Sequence, residues 1–331
     1  MRDDGFRSIH LRKEPEATEG REGEKMRSVR GMSGLNGLKY STRRFAARFL
    51  YISGAIGIYR RVALRNRVLV LMYHRVMPWE EGTSAAFEGM RVDPANFEQQ
   101  MACLRKQFRI LGLNDILKHF RDRTPFPPNS CLVTFDDGWK DNYSHAYPVL
   151  CRYEVPAVVF LSVGHIGTRE RFWQERTFNA LRGIREEVRR HPDSPARNRR
   201  LPGGIKIEEL AAWPEEKFRE EVREQIRGLK KFPLSRIEPI VEEFSECAGP
   251  SSHGNFEPFL SWEDVLTMSR GGIDFGSHGM RHEILTHVSP EEVREEARTS
   301  KAIIEERTRK SVHAFSYPNG NHDPVVRKCV Q

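Results

Sequence analysis

The chain has 331 residues, 38% hydrophobic and 30% charged, a balance that suits a soluble globular protein with polar extensions, as one large domain or two modest ones. Its formal charge of +8 is local: residues 26–67 carry ten Lys/Arg and no Asp or Glu, the rest sums to −2, and nothing follows about an acidic substrate in the core. Five cysteines (Cys103, Cys131, Cys151, Cys247, Cys329) form no CxxC pair, which argues against a disulfide framework and for a reduced compartment.

In chain order, residues 1–25 are polar and read as a disordered leader, with Met26 and Met32 as alternative starts. Residues 26–67 form a basic, partly apolar arm. Within it "RRFAARFLYISGAIGIYRR" is too short to span a bilayer and is broken by Arg48 and two glycines. It also lies too far in, and lacks the cleavage site, for an ordinary secretory signal. Two readings stand: residues 43–67 meet an anionic membrane surface, or they form a helix packed on the domain with its arginines in water. Nucleic-acid binding is not expected, since no recognised motif accompanies the charge.

From residue 68 the pattern becomes regular. "VLVLMY" reads as a buried strand, and "DPANFEQQMACLRKQF" as a helix capped by Asp93 with Pro94 in its first turn. Next come strand "RILG", helix "LNDILKHFRD", strand "CLVTF", a helix over "KDNYSHAYPVLCRYE" interrupted near Pro148, and strand "PAVVFLSV". Residues 170–258 are dense in Arg and Glu, with charges at i,i+4 spacing, and read as a helical insertion that is either a substrate wall or a passive elaboration. Helix "SWEDVLTMSR", strand "GIDFGS", helix "PEEVREEARTSKAIIEER" and strand "VHAFSY" complete the chain. Alternation of strand and helix over 68–331 predicts an α/β fold with a parallel sheet or barrel. Six strands are legible, and the chain stops eleven residues after Gly320, so the last strand of such a barrel is expected to be missing.

Polar groups gather where these strands end. "VLVLMY" ends in His74, "CLVTF" in Asp136 and Asp137, "GIDFGS" in His278 with His282 four residues on, and "VHAFS" in "YPNG". In a (β/α) barrel the C-terminal strand ends converge on one face, which holds the active site. Adjacent carboxylates at the end of a buried strand repel each other and are costly to desolvate, so either the pair sits in open water or a cation waits beside it. His–x₃–His places two imidazoles on one side of a helical turn, and with a carboxylate they make a two-His, one-carboxylate site with open coordination positions. One carboxylate can bind the ion while its neighbour stays free to take a proton, because successive residues leave a strand end in different directions. On these residues alone a non-haem iron oxygenase also fits.

At these positions the sequence resembles the polysaccharide deacetylase family, the NodB-homology carbohydrate esterases (family 4). TFDDG stands intact at Thr134 to Gly138; "SHGMRH" matches the second motif's histidines, with Gly279 in the Ser/Thr place; "SYPNG" matches the third, with Ser316 where arginine usually stands. "MYHRVMP", "FEQQMACLRKQF" and "VPAVVFLSVGHIG" resemble, in order and spacing, the branch acting on poly-N-acetylglucosamine-like polymers, which uses YPxG. The resemblance spans about 68–168 and 259–323 and implies a distorted (β/α) barrel of the NodB type. It also implies a metal-dependent N-deacetylase of amino-sugar glycans. Asp137, His278 and His282 would hold the metal, with zinc the expected ion; Asp136 would be general base and His74 general acid. Pro318 and Gly320 would shape the groove, with Tyr317 offering a backbone or ring contact. The substrate would be an N-acetylated glycan or, with the basic arm on the inner face of the membrane, a lipid-linked oligosaccharide met by a cytoplasmic, peripherally bound protein. The rival is an inactive glycan-binding or scaffold protein on a truncated deacetylase fold.

Overall fold

The computed structural model describes residues 65–78, 89–193, 200–248 and 258–331, with isolated positions between 53 and 62. The leader 1–25 and nearly all of the arm 26–67, including most of the stretch 43–67, lie outside the described residues. Among the described residues no helix is long and apolar enough to cross a membrane. The described residues divide into two compact units, one holding Leu71–Lys106 and Val133–Gln331, the other those before Leu71 together with Gln107–Leu132.

The first unit carries every polar strand end noted above. Its strands are β1 (Val68–Tyr73, entering at Leu71), β5 (Ser130–Phe135, entering at Val133), β6 (Ala157–Leu161) and β7 (Asp274–Ser277), side by side in the order β1-β5-β6-β7. Pairing is parallel, with Val133 opposite Ala157 and Val158 opposite Asp274. β5 is buried along its whole length, as a mainly apolar strand covered on both faces should be. Tyr73, Phe97 and Phe135 pack edge-on and stacked, with ring centroids 5.2–5.8 Å apart, and so fix the ends of β1 and β5 just before His74 and Asp136. Two short strands, β2 (Arg75–Val76) and β3 (Arg91–Val92), pair in parallel beside them. In the second unit, β4 (Arg109–Ile110) pairs in parallel with Ser130 and Cys131, and α2 (Leu113–Arg121) buries Leu113 and Ile116.

The helices start where their caps dictate. α1 (Pro94–Gln107) follows Asp93, whose carboxylate accepts from the Ala95 N–H. α8 (Trp262–Arg270) and α9 (Pro290–Thr308) each open with a capping box, Ser261 with Asp264 and Ser289 with Glu292. α3 (Tyr147–Arg152) begins only after a π-helical turn over Asn142–Ala146, so the interruption expected near Pro148 is a change of helix type. α10 (Pro324–Val330) ends the described chain, capped by Asp323.

"VHAFSY" departs from expectation. No strand forms; Phe315 makes a single parallel bridge to Ser277, flanked by Ser277 N–H to Ala314 O and Ser316 N–H to Ser277 O. The chain then leaves the sheet for the Pro318–Gly320 turn, and proline has no N–H with which to extend a ladder.

The described residues of the charged interval 170–258 are mainly helical: α4 (Trp173–Arg190), α5 (Ile207–Ala212), α6 (Glu215–Leu229) and α7 (Leu234–Ala248). Its outer faces carry the expected pairs, such as Arg182–Glu186 and Arg219–Glu215. Its inner faces build a core of their own from Phe178, Leu181, Phe218, Val222, Val241 and Phe244. At the root of the interval, Phe172 and Phe259 meet with centroids 4.9 Å apart, and both pack on Trp139.

Candidate active site

The turn after β5 is built by conformation as much as by charge. Asp137 and Gly138 both take left-handed φ, 77° and 80°. A Cβ at 138 would meet the side-chain ends of Ile166 and Leu161 at 2.9 Å, and together with the left-handed backbone this favours glycine there. Asp137 accepts the same region at a cost of about 1–3 kcal/mol, a strain that persists at sites the surroundings over-determine. The turn separates the two carboxylates. The Asp136 N–H donates to Tyr73 O at 2.9 Å, and its Oδ2 accepts from Ser316 Oγ at 3.2 Å. Asp137 Oδ2 accepts from the Trp139 indole at 2.8 Å, while its Oδ1 has no hydrogen-bond partner although fully buried.

That orphaned oxygen faces two imidazoles. His278 Nε2 lies 3.5 Å from it and His282 Nε2 3.4 Å. Donors held at about 2.0–2.1 Å around one tetrahedral ion stand roughly 3.3 Å apart, so the three atoms fit a shared cation. These three residues are the metal-ligating group that the described residues offer. His278 Nδ1 is 2.8 Å from the Ser316 carbonyl; it can only donate there, which leaves the Nε2 lone pair turned to Asp137. Burial pushes the His282 pKa down to about 3, against the opposing pull of Asp137, so its ring is neutral and able to ligate.

Burial likewise raises the Asp136 pKa above the usual carboxylate range, offset by His278 and His74, and the neighbouring Asp137 charge adds to the rise. For Asp137 the histidines outweigh desolvation and hold its pKa below that range. The pair is thus split: one carboxylate is poised to hold a proton, the other to stay ionised. His74 follows β1 directly, its carbonyl accepts from Asn142 Nδ2 at 2.8 Å, and its charge acts on both aspartates. Pro318 is buried in the turn after Ser316; Tyr317 stacks on His322 with centroids 5.0 Å apart, and Gly320 takes φ 71°.

One expectation needs correcting. His278 and His282 do not share a helical turn; residues 278–284 are irregular, with Gly279 at φ 79° and His282 at φ 57°. The loop is held by Glu296 of α9, buried, whose Oε2 accepts from the Met280 N–H at 2.6 Å and the Arg281 N–H at 3.3 Å. A Cβ on residue 279 would stand 3.0 Å from that oxygen, in a left-handed backbone, which accounts for glycine at the Ser/Thr place. At the place of the usual arginine, the Ser316 hydroxyl donates to Asp136 and its backbone carbonyl meets His278.

Sequence reasoning missed the supports. Behind Trp139, the Arg75 guanidinium lies 4.3 Å over the indole ring and donates from Nε to Asp141 at 2.8 Å, with Glu175 of α4 at 3.6 Å. Glu296 could have been found, because it falls with Val293, Ser300 and Ile304 on the buried stripe of α9. His165 packs between Phe172 and Phe259, and His287 lies in the turn Leu285–His287, outside the trio.

The family model for polysaccharide deacetylase matches residues 123–331. The poly-beta-1,6-N-acetyl-D-glucosamine N-deacetylase of Staphylococcus aureus (strain MSSA476) is 31% identical over 111 residues, covering 31% of this chain and 38% of the relative. That of Staphylococcus epidermidis is 30% identical over 113 residues, covering 31% and 39%. The chain thus spans under two fifths of the length of these curated relatives. Among solved structures, the Streptococcus pyogenes deacetylase PplD in complex with acetate aligns with a TM-score of 0.48 at 15% identity, over 80% of this chain and 78% of that one. With its matched model covering most of its length, the chain belongs to the polysaccharide deacetylase family, and its parallel strands and helices are those of that family's distorted (β/α) barrel.

Proposed function

We propose that this chain hydrolyses the N-acetyl amide of an amino-sugar-containing glycan at the site formed by His74, Asp136, Asp137, His278 and His282. One observation carries the reading: a buried, unpartnered carboxylate oxygen faces two imidazole nitrogens at 3.5 and 3.4 Å, one residue from a second buried carboxylate. Asp137, His278 and His282 hold a divalent cation, for which zinc suits a donor set of two imidazoles and one carboxylate. Once bound, zinc supplies a Lewis acid for the amide carbonyl and an acidified water with pKa about 7.

The chain's own groups do the rest. Asp136 takes a proton from the attacking water, a role its raised proton affinity favours, and Ser316 Oγ orients its Oδ2. Trp139 fixes the other carboxylate, so the two aspartates do not exchange roles. As the carbon–nitrogen bond breaks, His74 gives a proton to the departing amine, and acetate and the free amino sugar leave. Tyr317, Pro318 and Gly320 border the glycan. The two curated relatives named above, poly-N-acetylglucosamine N-deacetylases by name, support a polymeric N-acetylglucosamine substrate.

Acetate release from N-acetylglucosamine oligomers by the zinc-loaded chain tests this reading. Acetate in step with free amine is expected; folded, zinc-loaded protein that binds the oligomer and releases none would overturn it and leave the non-catalytic scaffold. The basic arm 43–67 supports a second, separate element, association with anionic membrane surfaces that would present a lipid-linked glycan. Sedimentation with anionic but not neutral vesicles, lost when residues 43–67 are removed, is the expected outcome.

A further inference from the structure

Besides Phe172, whose ring lies 4.9 Å from that of His282, the insertion approaches the candidate site at the turn Lys230–Pro233 between α6 and α7. Two contacts fasten it there. The Glu283 carboxylate, next in sequence to His282, accepts from the Leu234 N–H with both oxygens at 3.2 Å. Across the turn, Lys230 Nζ donates to Asn319 Oδ1 at 2.8 Å, inside the Tyr317–Gly320 segment that follows Ser316. The turn is therefore tied to both loops that frame the Asp137–His278–His282 trio.

Lys230 is an unusual tenant of that position. It is half-buried, desolvation lowers its pKa from the usual lysine value against the pull of Asp137, and its charge acts in turn on His282. A lysine ammonium has three donors, and among the described residues Asn319 accepts one while no carboxylate pairs with it. Among the described residues the ammonium is thus left with donors to spare and no directly paired carboxylate. Held by Asn319 at the edge of the site, the ammonium can give those spare donors to an anionic acceptor in charge-assisted hydrogen bonds.

We infer that Lys230 is a specificity-determining residue that binds an anionic substituent, carboxylate or phosphate, on the glycan beside the acetamido group. This deepens the glycan reading and rests on it. The insertion is then a substrate wall, and its contribution to recognition is a single side chain aimed by Asn319.

Titration calorimetry on the full zinc-loaded chain tests this without requiring turnover. Three N-acetylated oligosaccharides of equal length are compared: neutral, carboxylated on the neighbouring sugar, and phosphorylated there. The wild-type chain binds at least one anionic oligomer more tightly than the neutral one. Lys230→Met weakens that binding roughly 10- to 100-fold, the value of a charge-assisted hydrogen bond, and leaves the neutral oligomer within about twofold. Lys230→Arg, which keeps the charge, restores most of the preference. The anionic arm that responds identifies the group recognised. Equal binding of all three oligomers by the wild-type chain, or equal losses for neutral and anionic oligomers in Lys230→Met, overturns the inference. Acetate release measured in parallel separates the two claims: anion preference without acetate refutes the deacetylase reading alone, and acetate without preference refutes this one alone.

Discussion

The strand ends and the helical insertion solve different problems with different chemistry. At the strand ends, ionisable groups are deeply buried and each is held by one or two specific partners: Asp136 by Ser316, Asp137 by Trp139, His278 by the Ser316 carbonyl, the 278–282 loop by Glu296. In the insertion, charge is mostly kept on the solvent face as local pairs, and stability comes from an apolar core centred on Phe178, Phe218, Val241 and Phe244. Surface pairs of that kind are worth about 0–1 kcal/mol each, so they keep the helices soluble more than they hold them together. The strand ends thus depend on individual polar partners, whereas the insertion depends on apolar packing and carries its proposed role in recognition on the turn Lys230–Pro233.

That contrast can be broken in order of expected effect. Asp137→Ala or His278→Ala should abolish bound metal and acetate release together while leaving the far-ultraviolet circular dichroism spectrum unchanged. A collapsed spectrum would mean that the trio is a structural element. Asp136→Asn and His74→Ala should each lower kcat by roughly 10²–10⁴ with metal content intact, and full activity in either removes that residue from the mechanism. Trp139→Phe, which deletes the indole donor to Asp137 but keeps the ring, should weaken metal binding about 10- to 100-fold in a competition with a chelating dye. Phe218→Ala should cost about 3–5 kcal/mol of stability in urea unfolding yet leave metal stoichiometry per folded molecule unchanged. Metal loss in that variant would show that insertion and strand ends are one cooperative structure.

How much of this was legible depends on how local each feature is. TFDDG could be read because strand, carboxylate pair and glycine are contiguous, and the α/β alternation because its periodicities are short-range. The two histidines could be chosen from spacing, but the helical turn assumed for them was wrong; Gly279 and Glu296 impose a loop that spacing cannot report. "VHAFSY" has the composition of a strand and lost the role to Pro318 just beyond it. Arg75, Trp139 and Lys230 escaped for a different reason. Their partners, Asp141, Asp137 and Asn319, are fixed by tertiary packing, and in an Arg- and Glu-rich segment one lysine carries no mark of its own.

The central claim is that Asp137, His278 and His282 hold one divalent ion. Metal content by mass spectrometry on the purified chain, beside an Asp137→Ala/His278→Ala double variant, tests it most directly. The account predicts close to one zinc per chain, lost in the variant. A well-folded wild-type chain that takes up no metal when zinc is supplied, or a double variant that retains it, would contradict the account.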